Sequence, residues 1–131
     1  MLAYLESSAV AKLVIDEAES PALKEALSDM AARLTSVVAE IEAHRALRRT
    51  APNPERMEQL ETALAGLELV ELGVAVHHRA GTLDPPGLRS LDAIHLASAL
   101  SLGDELGAFV CYDARLSAIA TEHGLPVLAP S

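Results

Sequence analysis

The sequence has little aromatic surface. Its 131 residues contain no tryptophan, two tyrosines and one phenylalanine, too few rings for the stacking platforms on which many proteins lay single-stranded nucleic acid. Cysteine occurs once, at Cys111, so an internal disulfide and a Cys/His zinc cluster are both excluded. Cys111 lies in "FVCY" among apolar neighbours and reads as a small buried residue, not a nucleophile. Positive charge is scarce, ten Lys and Arg against nineteen Asp and Glu, for a net charge of −9. That balance argues against a broad phosphate-binding surface. It still admits a nucleic-acid substrate approached through divalent cations, and it suits a basic partner. No apolar stretch is long and uncharged enough to span a membrane, and no basic segment precedes an apolar run, so a cytoplasmic location is expected. The nucleotide-binding and hydrolase signatures G-x-x-x-x-G-K-[ST], G-x-G-x-x-G and G-x-S-x-G are all missing.

Half of the residues are hydrophobic, which suits a single domain over residues 1–131 with a core of Ala, Leu and Val. Short apolar runs at Leu2–Leu5, Arg33–Ser36, Leu67–Leu72, Phe109–Tyr112 and Pro126–Leu128 read as strands. Between them lie helical patterns: Ala9–Val14, a helix from Ser20 to Ala31, Val37–Arg49, Pro54–Ala65 with Asn53 as cap, Ala75–Ala80, Ser90–Leu102 and Ala114–His123. "TAPNP", Thr50–Pro54, ends the third of these, "GTLDPPG", Gly81–Gly87, is a loop, and Gly124 closes the last helix. Strands that alternate with helices predict an α/β fold with a mostly parallel sheet covered on both faces. Ligands of such sheets sit beyond the carboxyl ends of the strands.

The residues that leave the strands are acids. Glu6 follows the first strand and precedes Ser7 and Ser8. Asp113 follows "FVCY". Asp92 falls in the first turn of a helix, and Glu40 and Glu42 lie on the helix after "LTS". Singly, each has an ordinary reading: Asp92 as a first-turn acid favoured by the helix dipole, Asp113 as a cap, Glu40 and Glu42 as a solvated face, and the serines as caps. Together, acids at the mouths of adjacent parallel strands repel one another unless a cation lies between them, and carboxylates with water are the ligands of hard divalent ions. Ser7 and Ser8 have no evident His partner in the sequence, and His44, His95 and His123 read as structural or surface residues. A receiver-like signalling domain would need paired acids after the first strand, an Asp after the third and a Lys after the fifth, none of which is found.

Four stretches resemble the motifs of PIN-domain ribonucleases. "YLESSAVAKL" is similar to their apolar strand followed by Asp-[Thr/Ser]-Ser-Ala. In "TSVVAEIEAHRALRR" the family spacing selects Glu42, six residues after Ser36 and three before Arg45. "LRSLDAIHLASAL" and "FVCYDARLSAIATEHGLPVLAP" resemble the third and fourth motifs. The subgroup most similar is the VapC toxins, and the resemblance covers essentially the whole chain. It implies a three-layer α/β/α fold around about five short strands. It also implies Mg2+- or Mn2+-dependent endonucleolytic cleavage of RNA, often tRNA or rRNA. A VapB-type antitoxin would inhibit the toxin and bind operator DNA, and a homodimer is expected. Carried over by residue, Glu6, Asp92 and Asp113 hold the metal directly or through water, Glu42 completes the acidic pocket, and Ser8 is the hydroxyl beside the first acid. Arg45, Arg89 and Arg115 are candidate RNA contacts, with salt bridges on an acidic protein as their alternative role. The helices from Ser20 and from Asn53 are candidate walls of an antitoxin groove. One residue departs from the pattern: the family's first acid is Asp and here it is Glu6. An extra methylene shifts the carboxylate by about 1.5 Å, so the alternative is a PIN-fold protein that binds antitoxin or RNA with weak or no catalysis.

Overall fold

Four residues, Leu2–Leu5 (β1), form the middle strand of the sheet. In the computed structural model, which describes residues 1–50 and 52–131, β1 pairs in parallel with Ala32–Ser36 (β2) on one side and with Leu106–Val110 (β4) on the other. Glu68–Val70 (β3) and Val127–Leu128 (β5) are the edges, which gives the order β3-β2-β1-β4-β5. The helices are Ser7–Val14 (α1), Ser20–Ser28 (α2), Val37–Thr50 (α3), Pro54–Ala65 (α4), Val74–Ala80 (α5), Ser90–Leu100 (α6) and Ala114–Glu122 (α7).

Strand alternation divides the core in two. Ala3 and Leu5 of β1, with Ala108 and Val110 of β4, point to one face and pack under Val10, Leu23, Leu47 and Leu60 from α1 to α4. Tyr4 and Phe109 point to the other, with Leu96 and Ala99 of α6 and Leu116 and Ala120 of α7. Tyr4 and Phe109 are register partners across β1 and β4 and stack with ring centroids 5.7 Å apart and planes 1° from parallel. The arrangement is the three-layer α/β/α fold expected from the alternating elements. Cys111 is buried and free. Burial and, next, the charge of Glu6 push its thiol up to about 11, which keeps it protonated and inert at neutral pH.

The sequence reading and the structure differ at the ends of elements. β4 runs Leu106–Val110, not Phe109–Tyr112, because its register on β1 starts from Leu106 and Ala108. Cys111 keeps a bond on the other side, from its N–H to Leu128 O at 3.1 Å. β3 is shorter than Leu67–Leu72, being paired on one side only. α1 starts at Ser7, two residues before Ala9, since Glu6 supplies its cap in place of the serines. Ser20 and Ser90 are the first residues of their helices, and the buried Ser20 hydroxyl donates to Lys12 O at 2.8 Å. α2 and α6 end at Ser28 and Leu100, and a 3-10 turn, Gly103–Glu105, starts on Gly103 at φ 58°. Asn53 does cap α4, its Oδ1 accepting from Arg56 N–H at 2.8 Å. Gly124 closes α7 at φ 80°. Of the helix-ending segment Thr50–Pro54, Ala51 lies outside the described residues.

The stacked pair at the centre should dominate stability. Phe109→Ala is expected to cost about 3–5 kcal/mol in urea denaturation, as for other buried aromatics. Val74→Ala, at a side chain 77% exposed, should change it by about 0.5 kcal/mol or less.

Candidate active site

The strand order places the site. From β1 the chain moves outward to β2 and β3 and then crosses to β4 on the other side of β1. This is a topological switch, and its crevice opens beyond the carboxyl ends of β1 and β4. Glu6 stands directly after β1, and its N–H donates to Val110 O at 3.0 Å, so the two strand ends stay tied. Asp113 follows β4 and caps α7, with Oδ1 accepting from Arg115 N–H at 2.9 Å and Leu116 N–H at 3.1 Å. Asp92 projects from the first turn of α6. Glu42 lies on α3, the helix that starts where β2 stops.

Glu6 is only 7% exposed. Its Oε2 accepts from Ser8 N–H at 2.9 Å and Ser8 O–H at 2.5 Å. The longer acid therefore folds back to cap α1, a place usually held by Asp, Asn, Ser or Thr. The added methylene is used in that return. Ser8 Oγ in turn accepts from Tyr112 N–H at 2.9 Å, so one hydroxyl joins the start of α1, the first acid and the end of β4.

Glu42 is held from the opposite side. Its Oε1 accepts from Ser7 O–H at 2.7 Å and lies 3.0 Å from His95 Nε2. His95, buried to 1% exposure, also lies 3.0 Å from Ser7 Oγ and 2.7 Å from Tyr4 OH through Nδ1. Ser7 thus does have a His neighbour, contrary to the sequence reading. This is still not a nucleophilic triad, because the Ser7 proton goes to Glu42 and Nδ1 faces a phenol instead of a carboxylate. Ser7 reads from the sequence as a cap and His95 as a structural histidine, and Tyr4 carries no signal there. The usable signal was the spacing of Asp92 and His95, three apart on one helix face. Glu40, by contrast, offers its carbonyl to His44 Nδ1 at 2.8 Å.

The electrostatics follow from this packing. Burial raises the Asp92 carboxyl above its ordinary range, and the charges of Glu6 and then Asp113 raise it further, with Arg89 opposing more weakly. For Glu42 burial also disfavours the charge, but the hydrogen bonds from His95 and Ser7 outweigh it and hold the carboxyl below its ordinary range. The donors are all oxygens, which suits a hard divalent ion that retains water. Among the described residues, no three His, Cys, Asp or Glu side chains are gathered closely enough to hold an ion by themselves. An ion here would therefore keep part of its water shell.

An apolar groove of about 600 Å³ opens beside the acids, lined by Ser7 and Ser8, by Val38, Ile41 and Arg45 of α3, and by Leu60 of α4. Its walls are α1, α3 and α4. The helix from Ser20 does not line it. That helix and α4 instead share a second cavity of about 590 Å³ that includes Asp16, Lys24, Arg33 and Gln59. Arg45, Arg89 and Arg115 are exposed, and none forms an ion pair among the described residues. No described helix is long and apolar enough to cross a membrane.

The raised Asp92 carboxyl carries a stability prediction. The folded chain binds that proton more tightly than the unfolded chain, so the group costs stability as pH rises through the ordinary Asp range and above. Asp92→Asn should therefore raise the Tm by a few degrees at pH 7 in a chelator. An unchanged or lowered Tm would show that the three acids are not in mutual strain.

The PIN domain family model matches residues 3–122. Ribonuclease VapC46 of Mycobacterium tuberculosis is 41% identical over 128 residues, covering 98% of this chain and 97% of the relative. Ribonuclease VapC35 of the same organism is 41% identical over 131 residues, covering 97% and 96%. Among solved structures, the VapBC2 complex of Rickettsia felis bound to a promoter DNA fragment aligns over 100% of both chains with a TM-score of 0.75 at 12% identity. The Mycobacterium tuberculosis toxin VapC20, which cleaves the sarcin-ricin loop, aligns over 98% and 99% with a TM-score of 0.73 at 16% identity. Those two likenesses establish the fold, and the family model and the sequence relatives establish more: the chain belongs to the PIN-domain family, among the VapC ribonucleases.

Proposed function

We propose that the protein is a divalent-metal-dependent endoribonuclease toxin, kept silent by a VapB-type antitoxin. One observation carries the catalytic reading: Glu6 and Asp113 leave the ends of the neighbouring strands β1 and β4, and after burial their charges raise the Asp92 carboxyl. Three acids from distant parts of the chain share one field at a topological switch point, and a fold has no structural need for that. The relatives named as ribonucleases support RNA as the substrate.

Glu6, Asp92 and Asp113 would hold Mg2+ or Mn2+, in part through water. A bound ion supplies a water of lowered pKa and neutralises charge on the phosphate. Glu42 has Oε1 fixed by Ser7 and His95, and it orients the attacking water. Ser8 keeps Glu6 in place. Arg45, Arg89 and Arg115 steady the RNA backbone, with tRNA or rRNA as target. The antitoxin lays an apolar segment in the groove between α1, α3 and α4 and sends a basic side chain toward the acids. Operator DNA is reached only through that partner, and the toxin itself is a cytoplasmic homodimer.

Glu6 weakens this catalysis. Its Oε2 is committed to Ser8, and a misplacement of about 1 Å in a positioned group can cost on the order of a hundredfold. Total bacterial RNA incubated with Mn2+ should be cut at discrete sites, and Asp92→Asn should abolish the cuts. Glu6→Asp should cleave about ten- to a hundredfold faster. Equal rates for the two would refute the attenuation. Absence of cutting by both would replace the nuclease reading with the binding one.

A further inference from the structure

We propose that Tyr4 and His95 are a positioning pair: the Tyr4 hydroxyl fixes the tautomer of His95, and the ring so fixed donates an N–H hydrogen bond to Glu42 and holds that carboxylate at the site. Both residues are buried, His95 at 1% exposure and Tyr4 at none, so neither is offered to RNA. For its effect on catalysis the proposal rests on the nuclease reading above; the tautomer itself does not.

The hydrogen bonds assign the protons. His95 Nε2 lies 3.0 Å from Glu42 Oε1, and a carboxylate only accepts. A bare Nε2 there would set two lone pairs against each other, so Nε2 carries the proton. Nδ1 is then the bare, accepting nitrogen of a neutral ring, and it takes the Tyr4 O–H at 2.7 Å. The rest of the surroundings agree. Burial pushes the Tyr4 phenol up, which keeps its proton in place. Ser7 O–H takes the remaining approach to Glu42 Oε1 at 2.7 Å. Thus both bonds fall on Oε1 and leave Oε2 to the site.

The pair is well placed for such a role. Tyr4 is locked in β1 by its stack on Phe109. The His95 ring meets Tyr4 edge-on with centroids 5.9 Å apart. A rigid strand therefore fixes a ring on α6, and that ring fixes a carboxylate on α3. Groups that orient a site residue from behind typically affect activity by about 10- to 100-fold.

The test uses the full chain labelled with 15N at histidine, in a chelator at neutral pH. Long-range 1H–15N correlation should show His95 protonated at Nε2 and bare at Nδ1. Tyr4→Phe removes one hydroxyl and keeps the stacked ring, and it should redistribute His95 between tautomers. Glu42→Gln should move the Nε2 resonance. A wild-type His95 protonated at Nδ1, or at both nitrogens, would overturn the proposal, as would a spectrum unmoved by Tyr4→Phe. In the Mn2+ cleavage assay, Tyr4→Phe should lower kcat about tenfold at unchanged KM. His95→Gln, which retains a donor toward Glu42, should keep more activity than His95→Leu. Unchanged kcat in Tyr4→Phe would reject the positioning role even with the tautomer as expected. A wild-type chain that cuts no RNA would count against the nuclease reading, and the spectra would still decide the tautomer.

Discussion

The site depends on the parallel pairing of β1 between β2 and β4. Four residues carry both halves of the core, Ala3 and Leu5 downward and Tyr4 upward, and the next residue is the first acid. Because β4 runs parallel beside β1, both chains emerge on the same edge. The bond from Glu6 N–H to Val110 O prevents the edge from opening. On the β2 side, the buried Thr35 hydroxyl donates to Leu5 O at 2.7 Å. Slippage of either pairing by one residue would exchange the faces of the strand and send Tyr4 into the wrong layer. Geometry at the carboxylates is thus inherited from hydrophobic registration several residues away.

That registration also explains why the acids can be assembled at all. Repulsion among Glu6, Asp92 and Asp113 is unfavourable, and a chain of this size has a small margin of stability to spare for it. The buried sheet and its two helical layers hold the acids in place without their consent. Glu42 is treated differently: it receives two hydrogen bonds on one oxygen and is stabilised as an anion. One acid in strain and one at ease, within the same crevice, is the usual way in which carboxylates acquire separate tasks.

Much of this was legible in the sequence, and the remainder has a physical reason. Alternating periodicities gave the strands and helices, and the acids after β1 and β4 stood out because strand ends are where such sheets bind. The boundaries of β4 were not legible, since "LGAFVCY" is apolar throughout and only its partner determines where pairing starts. The cap of α1 was misread because glutamate rarely serves as one. Tyr4, Ser7 and His95 were missed for another reason. Tyr4 and His95 are 91 positions apart and meet only once α6 is laid on the sheet. A buried tyrosine and a buried histidine also look, in one dimension, like ordinary core.

The dual engagement of Glu6 has a consequence for the order of the chain itself. α1 has eight residues, too short to persist as a helix without help from its ends and its packing. The oxygen that closes its first turn is Oε2 of the acid nearest the crevice. Whatever draws that oxygen away releases the Ser8 amide and hydroxyl together and loosens the first turn. Occupancy of the crevice and local folding of α1 are therefore two sides of a single equilibrium, and the N-terminal helix serves as a reporter of what the acids are holding.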